Sequence, residues 1–385
     1  MRTWFTLAAL FLASFALGAG ETMPVGVITL VAESTGVAVS TAGGLVTAYA
    51  LSVAVGGVVL GFATAGLPRR GLLLGGLLIA IGANTIITLS DSFGLIIAAR
   101  ILGGSVHGVV IGASFAIAVS IVPRERMGRA ISVIVTGFAV STALGVPAGV
   151  LLAERWGWHA AFGAVVAVSA VTLVALALTV PSVAASSEEK LLAQARYAFA
   201  PRVLLVLGLA TVLFAGQYSA FTFIRPFLQQ VTSVEGDAIG LYVLAFGLAT
   251  AAGTVIGGRL ADWNARRTML ASAIGLVVVL GSLLLLGANP IAALLILILW
   301  GALSNGFVPS VQYLTGVLAG PGRDLAAVLP ASFINLGIGL GSLLGAWGIA
   351  STGPTGPVII ALVVCVLGIG VAYVAASRFF SASTS

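Results

Sequence analysis

Four ionisable residues stand inside long apolar runs, where a charge is costly and is kept for function or for a specific partner. Glu21 lies in the first run, Arg100 and His107 in the fourth, and Arg225 near the end of the seventh, directly before Pro226. Glu21 falls roughly ten residues from the outer end of its run and Arg100 about eight from the outer end of its own. At about 1.5 Å per helical residue the two sit at similar depth and are within reach of each other. A carboxylate that alternates between a desolvated setting and pairing with a cation binds and releases a proton. Three readings of Glu21 are open: a proton-coupling carboxylate, one half of a static gate or packing pair with Arg100 or Arg225, or a position at the outer vestibule. His107 follows Arg100 by two helical turns on the same face, where its imidazole can relay a proton, hydrogen-bond a polar substrate or simply pack. Arg225 reads either as a gate charge or as a side chain snorkelling to the interface.

Uncharged polar and aromatic residues accompany these groups: Tyr49, Asn84, Ser114, Gln217, Tyr218, Asn305, Gln312, Tyr313 and Asn335. Rings and amides around a central cavity suit a small hydroxylated or amphipathic molecule. Hydrogen bonding between helices is the alternative for each one singly. No phosphate-binding loop, no His-Glu-x2-His pair and no nucleophile elbow occurs in the sequence, so the chemistry is that of binding and proton transfer, not of an enzyme. No cofactor or metal is expected. Cys365 is the only cysteine and reads as a small apolar packing residue.

The elements that must hold these residues follow from composition. Hydrophobic residues make up 60% of the 385, charged residues 7%, and the mean hydropathy is +1.19. Soluble domains carry about a quarter charged residues, so the chain is expected to be an all-α integral membrane protein. About twelve apolar segments are long enough to cross a hydrocarbon core of about 30 Å as helices. They fall at about 4–30, 41–65, 72–89, 93–122, 130–153 and 160–180, then 202–230, 238–260, 268–287, 291–318, 326–350 and 356–376. The N-terminal run reads as the first span and not as a removed leader.

The net charge of +6 comes from position and not from a nucleic-acid partner. Of the 17 basic residues, Arg100 and Arg225 lie within spans and Arg155 lies on the outer side; the rest, among them Arg69, Arg70, Arg124, Arg266 and Arg267, fall on the inner side. That bias predicts both termini in the cytoplasm. The polar stretch 181–201 reads as a cytoplasmic linker between a six-helix bundle at 1–180 and a second at 202–385.

The two halves repeat. Gly253 to Arg267 reads GTVIGGRLADWNARR, and the design recurs roughly 196 residues earlier, from Gly57 through Gly61 and Gly66 to Arg69 and Arg70. Gly137, Gly145 and Gly149 have counterparts at Phe333, Gly341 and Gly345. Small residues four apart, as in Gly104-x3-Gly108-x3-Gly112 and Gly337-x3-Gly341-x3-Gly345, suit close helix packing in lipid.

The loop with Gly258, Asp262, Arg266 and Arg267 resembles the signature loop of the major facilitator superfamily, found between helices 2 and 3 and again between 8 and 9. In the first copy the acid is absent, with Ala65 or Gly66 at its place. The resemblance extends along most of the chain to twelve-helix drug/proton antiporters, and within them to the arabinose and sugar efflux and chloramphenicol-resistance branch. It is carried by Glu21-Thr-Met-Pro24, by Arg100-Ile-Leu-Gly103-Gly-Ser-Val-His107, and by Gln217-Tyr218 through Arg225-Pro226-Phe227. Gly145-Val-Pro147-Ala-Gly149 resembles the antiporter motif, with Val146 set between the Gly and the Pro. Arg225 stands where sugar exporters of this type tend to have an acid.

The resemblance implies two pseudo-symmetric bundles that rock about a midplane site and export a small molecule in exchange for protons. In that scheme Glu21 takes the proton, modulated by Arg100 and His107. Tyr49, Gln217, Tyr218, Asn305, Gln312 and Asn335 contact substrate. Arg225, Arg69, Arg70, Asp262, Arg266, Arg267 and the glycines and proline of 145–149 serve the gates. It also implies a monomer in the bacterial inner membrane. An importer, or a non-transporting receptor or scaffold on the same bundle, are the rival readings.

Overall fold

A computed structural model describes residues 2–64, 66–123, 126–181, 195–322, 326 and 329–381. Ala65 at the end of the expected second span, and Arg124, Lys190 and Arg323 among the basic residues expected on the inner side, lie outside the described residues, as does most of the expected linker. The described chain is helical. Ten stretches are long and apolar enough to cross a membrane, and two of these, 238–286 and 329–370, are broken near the middle, so the number of crossings is ten to twelve.

The helices are α1 (Arg2–Thr35), the short α2 (Val39–Ala42), α3 (Gly44–Ala63), α4 (Arg69–Leu89), α5 (Phe93–Ser120), α6 (Met127–Val140), α7 (Val146–Trp156) and α8 (Trp158–Thr179). Then come α9 (Pro201–Phe221), α10 (Ile224–Gln230), α11 (Asp237–Leu286), α12 (Pro290–Gly306), α13 (Val308–Ala319), α14 (Leu329–Thr352) and α15 (Gly356–Ser381). The first span runs to Thr35, beyond the expected end at 30, and stops where Gly36 adopts a φ of +69°. That left-handed conformation carries little cost for glycine and ends helices.

Three expected spans remain single stretches, at Arg129–Trp156, Pro201–Gln230 and Pro290–Gly322, but each is interrupted just ahead of a proline that cannot donate to the carbonyl four residues back. Pro147 leaves Ala143 without its usual donor, and Ser141–Gly145 widens into a π turn between α6 and α7. Pro226 follows the break between α9 and α10 at Thr222 and Phe223. Pro309 follows the break at Phe307 between α12 and α13. The sharp turn inside α11 has a different cause. Asn264 leaves the helical region at φ −158°, ψ 92°, and its Oδ1 accepts the Arg267 N–H at 3.0 Å, capping the helix that follows.

The chain divides into two compact units, 1–188 with 236–247, and 189–235 with 248–385. In the first, α1 packs on α6, α7 and α8, and α5 packs on α3 and α4. The α3–α5 contact is a backbone approach: a Cβ at Gly104 would lie 2.5 Å from the Tyr49 carbonyl oxygen, and one at Gly108 would lie 2.6 Å from the Cα of Gly57. In the second, Gly337, Gly341 and Gly345 of α14 lie directly on the carbonyls of Thr211, Ala215 and Ser219 of α9. The third member of the α5 series, Gly112, meets open space, so its spacing alone does not make a packing contact.

The internal repeat extends to the contacts. Gly145 meets Ala19 and Gly149 meets Met23, while Gly341 meets Ala215 and Gly345 meets Ser219. One residue offset, roughly 196 positions, carries both partners of each pair in the first unit onto both partners in the second. A duplicated unit keeps the faces through which its helices approach, because those faces set the interaxial distance.

Candidate functional site

The site forms inside the first unit where α1, α3 and α5 meet. Pro24 lies within α1 and has no N–H, so the carbonyl of Gly20, four residues earlier, lacks its helical donor. Arg100 of α5 supplies one. Its Nη1 donates to the Gly20 carbonyl, its Nη2 to the Glu21 carbonyl at 3.0 Å and its Nε to the Leu45 carbonyl at 2.9 Å. The guanidinium carbon also stands 4.0 Å over the centre of the Tyr49 ring, a cation–π contact that fixes the ring against it. Arg100 is 1% exposed, and one side chain thereby ties three helices together.

The pair expected from sequence depth, Glu21 with Arg100, is therefore realised through the backbone oxygen of Glu21. Among the described residues the two side chains form no ion pair. The carboxylate turns instead toward His107, its Oε2 lying 3.5 Å from Nδ1. That separation is too long for a hydrogen bond. Oε2 is buried without a hydrogen-bond partner among the described residues, on a side chain only 6% exposed. The same Nδ1 is hydrogen-bonded to the Tyr49 hydroxyl at 2.9 Å. The ring of Tyr49 meets the imidazole edge-on at 5.8 Å, and the Phe138 ring of α6 closes another side at 6.5 Å. Burying a carboxyl group without a partner is expensive unless it is neutral or the site pairs it in another state. The cluster can thus hold a proton at Glu21 or His107 and can report it to Tyr49.

The structure brings Glu21, Arg100, His107 and Tyr49 into one cluster. Asn84 donates to Ala80 in its own helix and its amide lies beside Gly20, at the edge of that cluster, while Ser114 bonds within its own helix to Val110. In the second unit Gln217 is buried and its Nε2 approaches the Ser304 carbonyl at 3.4 Å. Asn335 donates to Ala331 at 3.1 Å, while its Oδ1 is buried without a partner among the described residues. Tyr218 is half-buried in an aromatic row with Phe214 and Phe221, at 6.0 and 5.5 Å. Asn305 is half-buried one turn ahead of Pro309, and Gln312 and Tyr313 are exposed.

Arg225 is 2% exposed, so its guanidinium is buried within the protein, which disfavours the snorkelling reading. Arg70 donates to the Ala177 carbonyl at 2.7 Å in the last turn of α8, where a cation meets the negative end of the helix dipole. Arg69 is half-buried beside it, and Asp262, Arg266 and Arg267 are exposed around the Asn264 turn. Gly145 and Gly149 are buried against α1, and Pro147 is buried between them in sequence.

Four partnerships are not foreshadowed by residue type and spacing as read above. The hydroxyl of Tyr49, a candidate substrate contact, is hydrogen-bonded to His107. The Gly20 carbonyl was readable as a vacant acceptor from Pro24, four residues on. The pair of His159 with Asp91 at 3.1 Å, and the bond from Trp158 Nε1 to Ser34 Oγ at 2.7 Å, had no sequence signal.

Comparison with known proteins agrees with this architecture. The sequence profile of the Major Facilitator Superfamily matches residues 10–235 and 207–383. An uncharacterized MFS-type transporter of Bacillus subtilis (strain 168), YtbD, is 32% identical over 344 residues, covering 88% of this chain and 87% of the relative. A protein of Streptomyces lividans named chloramphenicol resistance protein is 29% identical over 358 residues, covering 91% of each. Among solved structures, a bacterial homologue of the human lysosomal transporter Spinster superposes with a TM-score of 0.79 at 15% identity, covering 100% of this chain and 97% of that one. A profile match over nearly the whole chain, on an all-helical fold with ten to twelve spans, fixes the family: this chain belongs to the Major Facilitator Superfamily and is a multi-pass membrane transporter, not an enzyme.

Proposed function

We propose that the chain exports a small organic molecule, drug-like or sugar-like, across the bacterial cytoplasmic membrane in exchange for protons, by alternating access. The observation that carries this is Glu21, a carboxyl group buried in an apolar bundle, its Oε2 unpartnered among the described residues and 3.5 Å from an imidazole nitrogen. Ionisable groups within membrane spans mark ion and substrate pathways and proton relays, which supports this role for Glu21. The name of the Streptomyces lividans relative supports a drug-like cargo. In this reading Glu21 takes the proton, Arg100 and His107 set its surroundings, and Gln217, Tyr218, Asn305, Gln312 and Asn335 meet the substrate. Arg225, Arg69, Arg70, Asp262, Arg266, Arg267 and the 145–149 segment act in gating. The protein works as a monomer with both termini on the cytoplasmic side, in line with the distribution of its basic residues.

The test is accumulation of labelled chloramphenicol, other antibiotics and sugars in exporter-depleted bacterial cells, with wild type, Glu21→Gln and an added protonophore. Lower accumulation of one compound in wild type, abolished by both the substitution and the protonophore, is the expected result. Raised accumulation would mean import, and export that survives Glu21→Gln would remove Glu21 from the coupling path.

A further inference from the structure

His107 Nδ1 has two oxygen neighbours, Tyr49 Oη at 2.9 Å and Glu21 Oε2 at 3.5 Å. An imidazole nitrogen without its proton has a single in-plane lone pair and accepts one strong hydrogen bond. The short contact to Tyr49 and the long one to Glu21 fit an unprotonated Nδ1 to which the phenol donates, with Oε2 left over. Were Nδ1 itself protonated, the carboxylate would be the preferred acceptor and would be drawn to about 2.8 Å.

We infer that this lone pair is a switch: when Glu21 takes a proton on Oε2, its O–H displaces the Tyr49 hydroxyl from His107, and when the proton leaves, Tyr49 returns. A carboxylic acid is a stronger hydrogen-bond donor than a phenol, and the orphaned Oε2 has only to close the gap that the geometry leaves it. Arg100 over the ring holds Tyr49 in place, so the change is a rotation of the hydroxyl and not a swing of the side chain. The groups that face the imidazole are Glu21 from α1, Tyr49 from α3 and Arg100 from its own helix, while α6 presents the uncharged Phe138 ring. Tyr49 is thereby a positioning residue that carries the proton state of α1 to α3. The inference rests on the proton-exchange reading, because it takes Glu21 as the group that gains and loses the proton.

The chain has two histidines, His107 and His159, so 15N-histidine labelling of the full protein in lipid nanodiscs gives two imidazoles, which a His159→Gln sample assigns. In wild type the Nδ1 of His107 is expected to stay hydrogen-bonded and unprotonated across the titration, with its resonance shifting as one donor replaces the other. Tyr49→Phe is expected to abolish the hydrogen-bonded signature at high pH and to coincide with wild type at low pH. Glu21→Gln, whose amide is a weaker donor than the phenol and carries no titrating proton, is expected to leave Tyr49 on His107 and hold the high-pH signature throughout. The His159 signal, set by its contact with Asp91, serves as the internal check on the fold. Should Tyr49→Phe disturb it, fluorotyrosine at position 49 replaces that sample; its stronger donor should move the exchange to lower pH.

Three results decide against the switch. If Tyr49→Phe alters Nδ1 equally at both ends of the titration, Tyr49 never leaves. If Nδ1 becomes protonated at low pH, His107 and not Glu21 holds the proton. If the wild-type signal is unchanged across the titration, Tyr49 stays on His107 whatever the state of Glu21 and the switch falls, while the proton-coupling reading stands or falls on the Glu21→Gln accumulation assay.

Discussion

The guanidinium of Arg100 donates to the carbonyl of Gly20, the acceptor that Pro24 leaves without a helical partner. This bond gives the arginine a structural task separate from any ionic one. It sets the course of α1 one turn before the proline and so aims the neighbouring Glu21 side chain toward His107 instead of toward the cation.

Arg100→Ala is accordingly expected to destabilise the protein by about 3 kcal/mol, since it strips a charged donor from three buried carbonyls. Pro24→Ala restores an amide that can bond Gly20. In that background the cost of Arg100→Ala should shrink by about 1 kcal/mol, a coupling of the size seen between residues that share one hydrogen-bond network. Unfolding of the purified variants in detergent measures the cycle. Strict additivity would mean that Arg100 and Pro24 do not act on the same carbonyl.

The glycine contacts rank by what a methyl group would meet. At Gly341 it meets the carbonyl oxygen of Ala215, a backbone atom held by its own helix, and Gly341→Ala should cost about 1–3 kcal/mol. At Gly145, its counterpart in the repeat, the methyl meets the Ala19 Cβ at 3.0 Å, a softer neighbour, and the cost should be smaller. At Gly112 nothing lies within 4 Å, and alanine should be neutral or stabilising by up to about 1 kcal/mol through helix propensity. Thermal unfolding of the three variants checks the order. Equal losses at Gly112 and Gly341 would show that spacing alone, and not the contact, decides.

What was legible in the sequence followed from periodicity and composition. Apolar length gave the spans, and the recurrence around Gly57 and Gly253 gave the duplication. Glu21, Arg100 and His107 stood out because ionisable groups are rare in apolar runs, and the structure gathers all three. Their pairing was not legible, because depth along a helix says nothing of which way a side chain turns. Arg100 had backbone oxygens within reach as well as a carboxylate, and the vacancy beside Pro24 decided between them. The breaks near Pro226 and Pro309 were hidden by unbroken hydropathy, which does not register a missing amide hydrogen.

The π turn Ser141–Gly145 provides the last prediction. It exists because Pro147 cannot bond to the Ala143 carbonyl, and it is a packing surface on two sides. Gly18 and Ala19 of α1 meet Ser141 and Gly145, and a Cβ at Gly247, in the part of α11 that belongs to the first unit, would lie 2.6 Å from the Ala143 Cα. Pro147→Ala returns the amide and lets the turn tighten to α geometry, which rotates α7 and takes Gly149 off Met23. Because the new hydrogen bond offsets the lost packing, stability should change by no more than about 1 kcal/mol, while transport should fall. Unfolding in detergent together with the accumulation assay separates the two effects. A variant that keeps full transport would show that the widened turn is only the scar of a proline, whereas a variant that loses transport and keeps its stability would make the turn part of the moving machinery.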